Sequence, residues 1–217
     1  MPSELKKDEF CFQIKRDNHY TFLESLHLDL IFVYGWNYLI PKTVIHKFKI
    51  YNIHNSLLPK YRGPFPIVFQ LLHNEYVSGV TLHKMNECFD SGDIYKQEEF
   101  RINEEDDYLS ISVKAMRASA KLLNDFFVDY MDYNIHLTPQ NHLQSTYYSM
   151  NDINKYIVDQ NYTYNEFLKL YKIFCDHFPI KILIGSKIQI LKSFELVHSD
   201  ESIKYKLADK MIYIKLI

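Results

Sequence analysis

The sequence predicts an α/β fold, with a sheet domain over residues 1–133 followed by a small α+β extension over residues 134–217. Three observations carry this reading. Residues 30–33 (Leu-Ile-Phe-Val) are a continuous apolar run, the pattern of a strand buried on both faces of a parallel sheet. Short apolar runs then alternate with helical stretches, so the first half reads β-α-β-α-β. After Thr138-Pro139 the character changes to one helix followed by alternating β-branched runs.

Taken in order, residues 10–14 read as a short strand and residues 17–26 as a helix with Asp17 at its N-cap. The strand at 30–33 is followed by a connection over 35–41, a short helical stretch and a second strand at 51–53. A loop bearing Pro and Gly spans 59–66. Beyond it come a helix near 67–73 and strands at 77–84 and 94–100. The longest helix is expected over 104–130, where Leu109, Val113, Met116, Leu122, Phe126 and Phe127 recur at helical spacing.

In the extension, residues 163–174 read as helical. Two alternating runs follow, with Ile188 and Ile190 in the first and Ile212 and Ile214 in the second. Joined by the polar stretch 198–204, they predict a terminal antiparallel hairpin. An exposed hairpin edge needs covering, which leads to the expectation of a homodimer.

Composition narrows the function. Hydrophobic residues make up 47% of the 217 and charged residues 24%, as in an ordinary soluble protein. Net charge is -2 and the Lys and Arg residues are spread thinly, which argues against a nucleic-acid partner. No apolar run approaches the roughly 18 residues of a membrane span, and the first residues lack a signal-peptide core. Cys11, Cys88 and Cys175 are odd in number and far apart, suggesting neither disulfides nor a metal site. A cytoplasmic location without metal is therefore expected. With five glycines, none spaced as a dinucleotide or Walker loop, nicotinamide and ATP chemistry are poorly supported.

Asn52 and His54 stand two residues apart at a predicted strand end, so their side chains share one face. Asp90 lies in a loop between two strands, beside Ser91-Gly92-Asp93. An amide, an imidazole and a carboxylate at strand ends suit acyl transfer to an amine. Donors meet the developing oxyanion, and a base takes the ammonium proton. Asn52 and His54 can donate; Asp90 can accept. On chemistry alone this is one option among several.

Three blocks of the sequence carry a resemblance: Asn52 to Gly63 (NIHNSLLPKYRG), Gly79 to His83 (GVTLH) and Phe89 to Ile94 (FDSGDI). In this order and spacing they resemble the folate-dependent formyltransferase family, which includes methionyl-tRNA, glycinamide ribonucleotide and nucleotide-sugar formyltransferases. The resemblance extends more weakly over residues 30–157, including Ser145-Thr-Tyr-Tyr148. It implies a doubly wound, mostly parallel Rossmann-like sheet with ligands at the strand carboxyl ends. It also implies N10-formyltetrahydrofolate as co-substrate, and it places Asn52, His54 and Asp90 on the family's catalytic positions. The pterin-gripping segments map onto residues 34–40 and 86–90, hence Tyr38, Leu39, Ile40, Asn86, Glu87 and Cys88, acting largely through their backbone. Ser56, Arg62 and Trp36 are expected to face the amine-bearing substrate. Asp93 is read as a turn former in a supporting role, and His73, His83 and the cysteines as structural.

Only 51 residues precede Asn52, fewer than the family's usual complement. The expectation is an N-terminally shortened sheet, or a start that lies upstream. For the acceptor, the run Arg62 to Phe69 looks like that of the sugar N-formyltransferases, which favours a nucleotide-linked 4-amino-sugar. A methionyl-tRNA formyltransferase-like enzyme and an inactive ligand-binding homologue are the alternatives. The first shares the Ser-Leu-Leu-Pro-x-Tyr-Arg-Gly loop, and the shortened start motivates the second.

Overall fold

Within the described residues, Leu23, 26–36, 38–174 and 178–217, the computed structural model contains two sheets. The expected strand at 10–14, most of the expected helix at 17–26, Cys11 and Cys175 lie outside the described residues. The first sheet has the order β1 (Ile31–Tyr34), β2 (Ile50–His54), β3 (Val77–Lys84), β4 (Ile94–Arg101). β1 and β2 run parallel and are linked through α1 (Lys42–Lys47). β3 and β4 run antiparallel to their neighbours, so the parallel part of the described sheet is its β1–β2 side. β1 is half-buried rather than enclosed on both faces.

β2 shows how the alternation of a strand sorts its side chains. Tyr51 and Ile53 point to one face and pack with Val80, Leu82 and Phe126. Ile50 joins the opposite cluster with Ile40 and Val44, and Asn52 and His54 follow it on that side. All five residues of β2 are buried, so the two polar ones must find partners inside the protein.

The long helix, α3 (Tyr108–Met131), starts at a capping box in which the Asp107 carboxylate accepts from Ser110 N–H and Ser110 Oγ accepts from Asp107 N–H. Its buried stripe is Ile111, Ala115, Ala118, Ser119, Leu122 and Phe126. Leu109, Met116 and Phe127, which the spacing of large apolar residues suggested, are exposed. The small residues decide this, since Ala115 and Ala118 let the helix close down on Val80 and Leu82. Phe126 is fully buried, with its ring centroid 4.7 Å from Tyr51, 5.0 Å from Tyr95 and 5.2 Å from Phe32.

The second sheet has the order β5 (Ile157–Val158), β6 (Ile180–Ile184), β7 (Lys187–Glu195), β9 (Met211–Leu216), β8 (Ile203–Lys206). The two alternating runs do pair, as β7 with β9. The terminal hairpin is nevertheless β8–β9, because Ile203–Lys206, which straddles the end of the stretch read as a linker, forms an outer strand. One core joins both halves. α2 (Pro66–Leu72) contributes Ile67, Val68, Phe69 and Leu71 to a cluster with Phe167 and Phe174 of α5 (Tyr164–Phe174), with Ile182, Ile212 and Ile214. A short helix, α4 (Met150–Ile153), precedes β5.

The connection between α3 and α4 is stitched to the first sheet. Thr138 exchanges two backbone bonds of 2.8 Å with Ile94, and Thr146 O accepts from Arg62 N–H at 2.9 Å. Thr146 Oγ1 accepts from Tyr61 N–H at 2.8 Å. This connection therefore frames the loop that follows β2.

Candidate active site

The carboxyl end of β2 delivers Asn52 and His54 to one face of the sheet, and the antiparallel register sets His83 of β3 directly opposite Asn52. Asp90 arrives from the turn after β3. Its backbone is left-handed, at φ 47, a region that Asp tolerates better than most residues. The turn closes so tightly that a Cβ on Gly92 would stand 1.8 Å from Lys84 O, which only glycine accommodates.

These elements bring the three expected residues together. Asp90 Oδ1 lies 3.2 Å from Asn52 Nδ2, 3.5 Å from His54 Nδ1 and 3.6 Å from His83 Nε2. Asp90 Oδ2 accepts from Gly63 N–H at 2.8 Å. His83, read from sequence as structural, thus belongs to the cluster. It sits within the second motif block, but which residue of that block faces Asn52 depends on strand register, and one chain does not reveal register.

The protonation states follow from the partners. A backbone carbonyl can only accept, so His54 Nε2, 2.7 Å from Tyr61 O, carries the proton. The Nδ1 lone pair is then turned toward Asp90. By the same reasoning His83 Nδ1 donates to Lys84 O at 3.2 Å, and its Nε2 accepts from Asn52 Nδ2 at 3.2 Å. The donor face expected of His54 is therefore committed to Tyr61, and the atom it offers the site is a base.

Burial lowers the pKa of His54, with the Asp90 charge pulling the other way. Burial alone would raise Asp90, but a charged His54 and the Gly63 N–H outweigh it and hold the carboxyl at about 2. The two directions compete, since a charged His54 is part of what lowers Asp90. The neutral ring prevails at rest: 3.5 Å is too long for a charge-assisted hydrogen bond. Asp90 keeps its charge beside it because Gly63 and Asn52 donate to it.

Two clefts meet at this cluster, about 330 and 440 Å³ in volume including space open to solvent, and Trp36, Asn52, Phe89 and Asp90 wall both. The first is lined by five of the six residues expected to hold folate, Tyr38, Leu39, Ile40, Asn86 and Cys88. Glu87 is not among the residues lining this cleft, and its carboxylate pairs with Lys42 and with His46 of α1. The second cleft is lined by Gly35, His54, Asn55, Gly63, Pro64 and Pro66 among others. Trp36 Nε1, on the shared wall, and Asn55 Oδ1, in the second cleft, are buried without a hydrogen-bond partner among the described residues, one donor and one acceptor.

Ser56 and Arg62 do not line these clefts. Ser56 is fully buried, its hydroxyl donating to Lys60 O at 2.7 Å and its carbonyl accepting from Thr81 Oγ1. Arg62 is also buried and donates to Gln140 Oε1, at 2.6 Å through one terminal nitrogen, which also lies 3.0 Å from His142 Nδ1. Both side chains hold the loop rather than face an open surface. Among the described residues, no group of three or more His, Cys, Asp or Glu side chains could hold a metal ion, and no helix is long and apolar enough to cross a membrane.

The formyl transferase family model matches residues 13–126. A methionyl-tRNA formyltransferase of Coprothermobacter proteolyticus is 42% identical over 118 residues, covering 54% of this chain and 39% of that protein. The chain thus spans about two fifths of the length of this curated relative. Among solved structures, HypX from Aquifex aeolicus in complex with tetrahydrofolic acid superposes with a TM-score of 0.72 at 18% identity, over 90% of this chain and 36% of that one. A 4-N formyltransferase from Francisella tularensis gives a TM-score of 0.68 at 23% identity, over 82% of this chain and 74% of that one.

Proposed function

The chain belongs to the formyl transferase family, and on that premise we propose that it moves a formyl group from N10-formyltetrahydrofolate to the amine of a nucleotide-linked 4-amino-sugar. The observation that carries the reading is the meeting of Asn52, His54 and Asp90 where two clefts share Asn52 and Asp90 as walls. Two co-substrates, one in each cleft, meet there. The folate side fits its residues: Leu39 and Ile40 give it an apolar wall, and Trp36, whose Nε1 has no hydrogen-bond partner among the described residues, walls both clefts.

N10-formyltetrahydrofolate supplies the formyl carbon; the protons are handled by this chain. As the amine nitrogen bonds to that carbon, its surplus proton passes to His54 Nδ1, the free base of the site. Asp90 and Tyr61 O hold the resulting imidazolium. Asn52 meets the oxygen charge by exchanging its 3.2 Å contact with His83 for one to the formyl oxygen. When the bond from carbon to folate N10 breaks, His54 returns the proton to that nitrogen.

Transfer to methionyl-tRNA is the second reading, favoured by the 42% identity of one such enzyme over 118 residues. The test is one assay panel: purified protein, N10-formyltetrahydrofolate, and in turn 4-amino-sugar nucleotides, 3-amino-sugar nucleotides and methionyl-tRNA, read by mass spectrometry. A formylated 4-amino-sugar supports the proposal, and formylated tRNA replaces it. Folate binding with no formylated product in any arm makes the chain a ligand-binding homologue. A homodimer is proposed as well, since Ile188 and Ile190 leave an apolar strip exposed on β7.

A further inference from the structure

Gln140 lies in the connection between α3 and α4, beyond the residues 13–126 that match the family. It is buried, and both ends of its amide are in use. Oε1 accepts from Arg62 Nε at 3.2 Å and from a terminal nitrogen at 2.6 Å. Nε2 donates to Asp90 O at 2.9 Å and to Gly92 O at 2.7 Å. One side chain thus ties the Asp90 turn to the loop after β2, and Gly63, next to Arg62, donates to the Asp90 carboxylate. A left-handed residue at a reacting centre persists only where its surroundings hold it. Here the two donated bonds hold the carbonyls on either side of Ser91, and the Thr138–Ile94 pairing anchors the brace itself.

We propose that Gln140 is a positioning residue for the transfer reaction, acting through Asp90 to set the carboxylate against His54. The inference rests on the functional reading above. The alternative is that Gln140 serves only to satisfy the buried Arg62 guanidinium. Two variants separate these. Gln140→Glu keeps an acceptor for Arg62 and loses both donors to the turn; Gln140→Met loses both functions at similar length. Gln140→Asn, with the amide one methylene short, serves where Gln140→Met fails to fold by circular dichroism.

If Gln140 positions Asp90, kcat falls about tenfold to a hundredfold in Gln140→Glu and Gln140→Met with KM within about twofold, as expected for a displacement near 1 Å. The acid limb of the pH–rate profile also moves to lower pH, because His54 loses part of the attraction of Asp90. Gln140→Glu with wild-type kcat and profile overturns the proposal in favour of the Arg62 role. A readout independent of turnover is the His54 ring ¹³Cε1 NMR signal, assigned with His54→Gln. Gln140→Met should shift it in the same direction as Asp90→Asn, and an unmoved signal overturns the inference. If the wild-type protein transfers no formyl group, the functional reading fails and the NMR result alone decides the role of Gln140.

Discussion

His54 Nε2 sits 2.7 Å from the carbonyl oxygen of Tyr61, and this contact decides which nitrogen of the ring can act. Tyr61 reaches it from a left-handed backbone at φ 59. Its amide is held by Thr146 and its hydroxyl donates to Glu75 at 2.6 Å. The tautomer of His54 is therefore set by a loop, and it leaves Nδ1 as the base.

His54→Gln and Asp90→Asn should each lower kcat by about 10²–10⁴ while leaving the fold intact, the usual cost of losing one positioned proton-handling group. Steady-state kinetics on variants with wild-type circular dichroism checks this. Near-wild-type turnover in either would remove that residue from the mechanism.

Stability should fall with acid in two stages. The folded pKa of His54 lies below its ordinary value, so its contribution is complete above about pH 6.5 and declines as pH drops through the folded value. For Asp90, held at about 2, the contribution is present above the ordinary carboxylate range and lost as pH falls toward that value. It is on the order of 2 kcal/mol. Urea unfolding across pH should show the upper stage missing in His54→Gln and the lower stage missing in Asp90→Asn. Parallel curves for all three proteins would contradict the assignment.

Phe126→Ala should cost about 3–5 kcal/mol, the range for removing a fully buried ring. Leu109→Ala, on the exposed face of α3, should change stability by less than about 0.5 kcal/mol. Equal losses in denaturant melts would mean that the helix is rotated from the face described.

Gly92→Ala forces a methyl group to within 1.8 Å of Lys84 O, with backbone on both sides of the clash. The turn must open, so Asp90 should leave the cluster and stability should drop by about 3 kcal/mol, at the upper end for overpacking. Loss of turnover together with a lowered melting temperature is the expected result. An unchanged variant would show that the turn is looser than it looks.

Light scattering at high concentration tests the dimer. A mass of two chains that falls to one in Ile188→Lys/Ile190→Lys is the expected outcome. A full-length monomer would end that proposal and leave the β7 strip a bare surface.

Local pattern by itself settled much of this protein. The alternation of β2 put Asn52 and His54 on one face, because strand periodicity is two whatever surrounds it. Local pattern also located β3, β4 and α5 to within a residue or two. Tertiary structure decided what depends on register, on small residues and on contacts distant in sequence. His83 entered the site through its pairing with Asn52 across 31 residues. The Glu87 carboxylate turned to α1 because Lys42 and His46 stand there. The buried face of α3 was chosen by Ala115 and Ala118, which no count of large apolar residues weighs. Ser56 and Arg62, exposed by reputation as loop polar residues, were drawn inward by Lys60, Gln140 and His142. A buried polar group must be partnered wherever the partner lies in the chain, and that partner is chosen by the packing of the whole fold.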